Sequence, residues 1–218
     1  AWFDDVWTKE VFANFMAAKI INPDFPAIDH DLSFLVDHYP SAYAVDRTAG
    51  SNPIRQALPN LRDAGQMYGA IIYHKAPIMM RQLELLLGRE ALRDGLREYL
   101  RDYAFANATW PDLIRILDSK TSTDLNDWSR MWVDTAGRPQ FSIASADTID
   151  KADAAISQLL QSDPLGKERL WPQKFTMRDD SAGDSITLQI ESVSRITPLP
   201  TLAAHREGPL LFNADGMG

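Results

Sequence analysis

A glutamate near the start of a strongly apolar stretch has a carboxylate that could do chemistry. Glu10 belongs to residues 7–19, WTKEVFANFMAAK, where its neighbours are a tryptophan, two phenylalanines and several small residues. The apolar positions Val11, Phe15 and Ala18 recur at helical spacing, which predicts Glu10 in the first turn of a helix. A carboxylate there can interact with the helix dipole, join an ion pair or bind a metal, and the dipole role is the commonest.

The composition of the chain excludes several classes of function. Acidic side chains number 30 and basic ones 22, giving a net charge of -8 without a basic stripe to neutralise phosphates, so nucleic acid is not an expected partner. No apolar stretch approaches the roughly 20 residues of a membrane span. The absence of cysteine excludes disulfides and a cysteine nucleophile but does not identify the compartment, so localisation is unknown.

The first part of the chain, residues 1–136, is predicted to be helical. Residues 22–62 contain five prolines and several Asp, Asn and Ser residues, so we expect mostly loop there, with one short apolar piece, DLSFLVDHY. Helix signals surround this region. They are the helix of Glu10, ended by Asn-Pro at 22–23; MMRQLELLLG, ended by glycine; Leu92, Leu96 and Leu100; the cap at residues 109–112; and TDLNDWSRMW.

After Gly137 the periodicity becomes strand-like. QFSI, KFTM and SITLQIESV alternate apolar and polar residues, and DDSAGD and NADG are typical of turns between strands. Residues 144–171 show few periodic signals, so we expect a long connection there. Residues 137–218 are therefore predicted to form a connection and a small β-sandwich, and the predicted fold class is α plus β.

Both ends of the chain suggest part of a longer protein. The sequence has no initiator Met and no signal-peptide pattern, and its first residues, AWFDDVW, are of the type that is usually buried. It ends at NADGMG, after a turn pattern where another strand would be expected. We therefore expect the β-sandwich to be incomplete, and we expect the apolar surface exposed by truncation to favour self-association.

Several stretches together resemble the zinc aminopeptidases of the aminopeptidase N type, thermolysin-like gluzincins that also include leukotriene hydrolase. Residues 7–13, WTKEVFA, resemble the W-L-N-E-G-F-A motif of that family. Residues 68–76, YGAIIYHKA, resemble its two tyrosines five residues apart, of which the second leads into Y-E-K-G-A. The run from LLLGRE to DLIRIL at residues 85–117, the W-x-x-x-x-G-x-P pattern at residues 132–139 and the closing NADG follow in the family's order.

This resemblance implies the helical second half of a thermolysin-like catalytic domain, followed by a β-sandwich, in an enzyme that hydrolyses N-terminal residues from peptides. In the family, two histidines of a His-Glu-x-x-His helix and a later glutamate hold zinc, which polarises the attacking water, and the motif's own Glu is the general base. By this match Glu10 is the third zinc ligand. Tyr73 is the phenol that donates to the tetrahedral intermediate.

Three more residues are expected beside this site from the same resemblance. Tyr68 would line the cleft. His74 stands where the family has Glu, which favours a surface or supporting role. Lys75 would form an ion pair. Without the flanking match, Tyr73 itself would be interpreted as a core tyrosine with a satisfied hydroxyl.

The family's other zinc ligands and its general base have no counterpart in this sequence. None of the histidines, His30, His38, His74 and His205, belongs to a His-Glu-x-x-His pattern. The Gly-x-Met-Glu-Asn segment that grips the substrate amine has no counterpart either. We therefore expect zinc and peptide substrates for the parent protein, and a chain that on its own is inactive and holds no stoichiometric zinc.

Two other functions stay open. The first is a noncatalytic helical and β-sandwich module, a family relative without a metal site, that binds a protein or peptide. The sequence ahead of residue 1 would decide this, because an intact His-Glu-x-x-His there supports the enzyme and a degenerate one supports the module. The second is epoxide hydrolysis of the leukotriene type, which needs a lipid tunnel of which the sequence gives no sign.

Overall fold

The computed structural model describes residues 2–144, 158–180, 186–199 and 210–214. The chain divides into two compact units, Ala1–Gly137 and Arg138–Gly218. The described part of the first unit is helical, and that of the second consists of strands and connections. Among the described residues, no helix combines the length and apolar character that crossing a membrane requires.

The described part of the first unit contains seven α-helices and four shorter helical turns. The α-helices are α1 (Trp7–Ile21), α2 (His30–Asp46), α3 (Ala64–Met67), α4 (Ala76–Leu87), α5 (Arg89–Asp102), α6 (Trp110–Asp118) and α7 (Leu125–Trp132). The shorter elements are 3-10 turns at Trp2–Asp5, Asn22–Asp24 and Leu61–Asp63 and a π-helical turn at Ile71–Lys75.

Local sequence signals set the ends of several helices, as predicted. Helix α4 stops at Gly88, whose φ of 81° lies in the region that glycine adopts at little cost. Helix α6 begins with a capping box. In it the Thr109 hydroxyl accepts from the Asp112 amide, and the Asp112 carboxylate accepts from the Thr109 amide at 3.0 Å. The predicted helices α1 and α4 to α7 are thus confirmed.

The start of α1 is fixed against the start of α6. Trp7 is fully buried, and its ring centroid lies 4.9 Å from that of Trp110. Just ahead of α1, the buried carboxylate of Asp5 accepts from the Trp110 amide at 3.1 Å and from Arg55 Nε at 2.6 Å. These contacts fix the helix that carries Glu10.

The prediction of mostly loop over residues 22–62 was wrong for residues 30–46, which form the 17-residue helix α2. The Asp29 side chain caps this helix by accepting from the Leu32 amide at 2.9 Å. Its residues Tyr39 and Ala42 are buried in a cluster with Ile78 of α4. Pro40 lies inside the helix and removes one backbone donor, and the cap and the apolar packing outweigh that loss.

The described part of the second unit contains two three-stranded antiparallel sheets, which agrees with the predicted α plus β class. The strands are β1 (Gln140–Ala144), β2 (Gln158–Ser162), β3 (Gln173–Asp179), β4 (Ile186–Ser192), β5 (Ile196–Pro198) and β6 (Leu210–Phe212). The sheet orders are β1-β2-β5 and β4-β3-β6. The rings of Phe141 and Phe175, one from each sheet, lie 5.4 Å apart, and Leu159, Met177 and Ile190 are buried in the same core.

The expectation of a connection over residues 144–171 missed strand β2, which pairs with β1 so that Phe141 faces Gln161. One of its buried positions is polar, which hid the alternation. The Gln161 amide donates to the Trp171 carbonyl at 3.0 Å and accepts from the Trp171 amide at 2.6 Å. Residues 145–157 of that connection, residues 181–184 of the predicted DDSAGD turn and residues 215–216 of NADG lie outside the described residues.

Candidate functional site

Helix α1 holds Glu10 in its first turn with the carboxylate partly open to solvent. The side chain is 29% exposed, whereas Trp7 and Val11 on the same helix are buried. Lys9 Nζ lies 3.5 Å from Glu10 Oε1. Because an ion pair this exposed contributes little to stability, the carboxylate remains available to another ligand.

Tyr73 lies on the π-helical turn between buried neighbours. Its own side chain is 37% exposed, whereas Ile71, Ile72 and Lys75 are buried. The rings of Tyr68 and Tyr73 are stacked, with centroids 6.1 Å apart and an interplanar angle of 30°. The Tyr73 phenol is therefore presented at the surface by a segment that is anchored on both sides.

Lys9 connects Glu10 to the two tyrosines. Its ammonium lies 5.7 Å from the centroid of the Tyr68 ring, within the range of a cation–π contact. The hydrogen bond to Tyr68 is the main cause that raises the pKa of Lys9, and Glu10 adds to it. Contacts thus run from Glu10 through Lys9 and Tyr68 to Tyr73, and we call these four residues the Glu10 cluster.

Lys75 forms a buried ion pair with Asp46, the last residue of α2. Lys75 Nζ lies 2.8 Å from Asp46 Oδ2, and the two side chains are 4% and 3% exposed. Lys75 also donates to the Gly137 carbonyl at 2.8 Å, and Asp46 accepts from the Gly137 amide at 3.2 Å and from Ser51 Oγ at 2.6 Å. The ion pair therefore joins the π-helical turn, the end of α2 and the last residue of the first unit.

His74 contacts His38, a histidine of α2. The Nδ1 atoms of His38 and His74 lie 3.2 Å apart, and the ring centroids lie 5.3 Å apart. Burial is the main cause that lowers the pKa of His38, and the charge of His74 lowers it further. One imidazole must donate and the other accept at this distance.

Five residues were named from the sequence, and the structure places them in two groups: Glu10, Tyr68 and Tyr73 in the first, and His74 and Lys75 in the second. Three of their partners, Lys9, His38 and Asp46, were not identified from the sequence. The last two lie on α2, in the region that was expected to be mostly loop. The capping signal of Asp29 could have revealed that helix, but a contact between α2 and the π-helical turn has no local signature.

The described residues do not fit a complete metal site. No group of three or more His, Asp or Glu side chains among them could hold a metal ion, and zinc enzymes commonly use three protein ligands. Glu10 alone fits, since its carboxylate is partly exposed and held on a fixed helix. The described residues of this chain therefore do not by themselves provide a metal-dependent step.

A groove of about 580 Å³ lies elsewhere in the first unit, lined by residues of α1, α4 and α5. Its apolar lining includes Phe15, Met16, Leu96 and Leu100, and charged side chains such as Arg89 also line it. No member of the Glu10 cluster lines it.

Comparisons with known proteins add an independent line of evidence. Residues 1–132 match the model described as the peptidase family M1 domain. Aminopeptidase N of Streptomyces lividans is 27% identical over 233 aligned positions, covering 99% of this chain and 27% of that protein. The probable aminopeptidase 1 of Sulfurisphaera tokodaii is 29% identical over 142 residues, covering 65% of this chain and 18% of that protein.

A third relative, the puromycin-sensitive aminopeptidase of Caenorhabditis elegans, is 29% identical over 143 residues, covering 66% of this chain and 15% of that protein. The chain therefore spans less than a third of the length of these relatives.

Proposed function

We propose that this chain, which belongs to peptidase family M1, is part of an aminopeptidase that hydrolyses N-terminal residues from peptides. The chain is similar to several aminopeptidases. The observation that carries the proposal is the Glu10 cluster, which links a partly exposed carboxylate to a partly exposed phenol within the region matched by the family. In this proposal residues 1–136 are the helical second half of a thermolysin-like catalytic domain, and residues 137–218 are a connection and a β-sandwich.

Glu10 is proposed as the third ligand of a zinc ion in the parent protein. M1 aminopeptidases are in general zinc metallopeptidases, and the bound zinc supplies a polarised water. The remaining ligands and the general base would come from other parts of that protein. This chain alone is then inactive, because one carboxylate does not hold the metal.

Tyr73 is proposed as the donor to the oxyanion that forms when the peptide carbonyl is attacked. Its phenol is partly exposed, and the ring is held by stacking on Tyr68. A donor of this kind typically contributes about a hundredfold to a thousandfold to the rate. Tyr68 then orients the ring of Tyr73 and contacts Lys9.

The test is hydrolysis of an aminoacyl anilide by the longer protein that contains this chain. Tyr73→Phe should lower kcat about a hundredfold to a thousandfold, and Glu10→Ala should abolish metal-dependent activity. Tyr68→Phe is the matched control, since it keeps the stacked ring and removes one hydroxyl, and it should have a much smaller effect. Wild-type activity in Tyr73→Phe would overturn the assignment of Tyr73.

The alternative is a noncatalytic module that binds a protein or peptide, and the Lys9 ammonium beside Glu10 supports it. At 3.5 Å from the carboxylate, this cation compensates the charge that a metal would otherwise balance. The experiment above separates the two functions. A longer protein that neither binds zinc nor cleaves the anilide, yet still binds peptides, would support the module.

A further inference from the structure

Helix α2 holds two consecutive residues of the π-helical turn, directly after Tyr73. His74 contacts His38 at 3.2 Å between Nδ1 atoms, and Lys75 contacts Asp46 at 2.8 Å. His38 and Asp46 lie about two helical turns apart on α2. The segment that follows Tyr73 is therefore attached to α2 at two separate points.

The turn that carries Tyr73 has an unusual geometry that needs such attachment. The amides of Ile72 and Tyr73 both donate to the Gly69 carbonyl at 3.0 Å, and the following residues adopt the wider π-helical turn. Single π-helical turns are rare and are frequent at functional sites. Contacts from outside the turn can therefore favour it over an ordinary α-helix.

The Lys75–Asp46 pair is buried, whereas the His38–His74 contact is only partly buried. Both side chains are almost fully buried, and Asp46 also accepts from Ser51 Oγ and the Gly137 amide. Replacing a buried pair by apolar side chains often leaves stability unchanged, whereas removal of one partner leaves an uncompensated charge. Apolar replacement of both residues therefore removes the pair without leaving an unpaired buried charge, which allows its effect on the geometry of the turn to be tested.

We propose that Lys75 and Asp46 are positioning residues for the Tyr73 phenol. The proposal rests on the proposed function, in which Tyr73 donates to the oxyanion. Lys75 fixes the end of the turn two residues beyond Tyr73, and the buried Ile71 and Ile72 fix its beginning. Loss of the pair lets the turn relax and displaces the phenol, which weakens catalysis without removing any group that binds substrate.

The first test uses the 218-residue chain and needs no activity. Tyr73 is replaced by 3-fluorotyrosine, and its 19F NMR shift is measured in the otherwise unchanged 218-residue chain and in the double variant Lys75→Met/Asp46→Leu. The double variant leaves no unpaired buried charge. The control, Lys120→Met, breaks the Lys120–Glu98 pair in the same unit. We expect a changed or broadened signal in the double variant and an unchanged one in the control.

An unchanged 19F signal in a double variant that unfolds cooperatively would overturn the proposal. If the double variant does not fold, the single variants Asp46→Asn and Lys75→Arg give the same comparison with smaller changes in volume and charge. An unchanged 19F shift in both single variants would also overturn the proposal.

The second test uses the active longer protein. The double variant should lower kcat about tenfold to a hundredfold, as a small displacement of a catalytic group does, with KM nearly unchanged. In a Tyr73→Phe background it should cause no further loss, because the pair acts through Tyr73. An equal loss in that background would overturn positioning. If Tyr73→Phe alone has no effect, the role of Tyr73 in the proposed function fails, and the 19F comparison still decides positioning.

Discussion

His38 Nδ1 lies 3.2 Å from His74 Nδ1, so two imidazoles share a hydrogen bond between α2 and the π-helical turn. Burial and the charge of His74, with a smaller contribution from Arg81, lower the pKa of His38, and Asp37 and the Tyr73 backbone oppose them. Protonation of both rings removes the acceptor that this bond requires. The contact is therefore sensitive to acid.

Stability should fall as the pH falls below the ordinary pKa of histidine, about 6.5. Because the pKa of His38 is lower in the folded state, the unfolded chain binds more protons between the two values, and folding loses free energy through that range. His38→Asn keeps a polar group near the Nδ1 position and removes the titration. We expect a smaller pH dependence of urea unfolding between about pH 5 and 7 in this variant, and an identical slope would contradict the assignment.

Purified 218-residue chain should retain almost no zinc after zinc loading and desalting. A single carboxylate, Glu10, does not hold the ion, and the described residues offer no group of three ligands. Elemental analysis of the chain and of Glu10→Ala makes the comparison. One zinc per chain in the unsubstituted 218-residue chain and none in Glu10→Ala would show that Glu10 has partners within the chain.

Self-association is expected through the apolar outer face of α2. Leu32 and Val36 are 57% and 59% exposed, and their spacing puts them on one side of the helix. Leu32→Lys/Val36→Lys should shift the chain from dimers or larger species to monomers in sedimentation velocity. Leu165→Lys, which changes an exposed leucine of the second unit, is the control. If the unsubstituted 218-residue chain is monomeric at high concentration, the prediction of self-association is wrong.

The capping box of α6 should make a measurable contribution to stability. Thr109→Ala removes the hydroxyl that accepts from the Asp112 amide, and it should lower the free energy of unfolding by about 1 kcal/mol. Thr109→Ser keeps the hydroxyl and should change it by only a few tenths of that amount. Urea unfolding of the two variants tests this, and equal loss in both would show that the methyl group matters rather than the cap.

Much of the fold could be predicted because its signals are local. Gly88 ended α4, and Thr109 and Asp112 began α6, through contacts within one turn of the chain. Helix α2 was missed because Pro40 argues against a helix, while the packing of Tyr39 on Ile78 that favours it involves a distant residue. Strand β2 was missed for a similar reason, since Gln161 is buried by partners about ten and thirty residues away.

The candidate site could likewise be predicted only in part. Glu10 and Tyr73 were named from motifs, and their roles remain predictions. The contacts that link them run through Lys9 and Tyr68, and the support of the turn comes from Asp46. Such contacts depend on how separate helices pack, which periodicity and capping do not encode.

The Gly137 amide donates to Asp46, which precedes it by 91 positions, and the Gly137 carbonyl accepts from Lys75, which precedes it by 62 positions. Asp5 likewise bonds the Trp110 amide across 105 positions. Proteins are synthesised from the N-terminus, and contacts between distant residues form slowly. On the ribosome, therefore, the first unit can complete its fold only after residue 137 has emerged. Until then Asp46 and Lys75 lack the backbone groups of Gly137 that both of them bond in the folded chain.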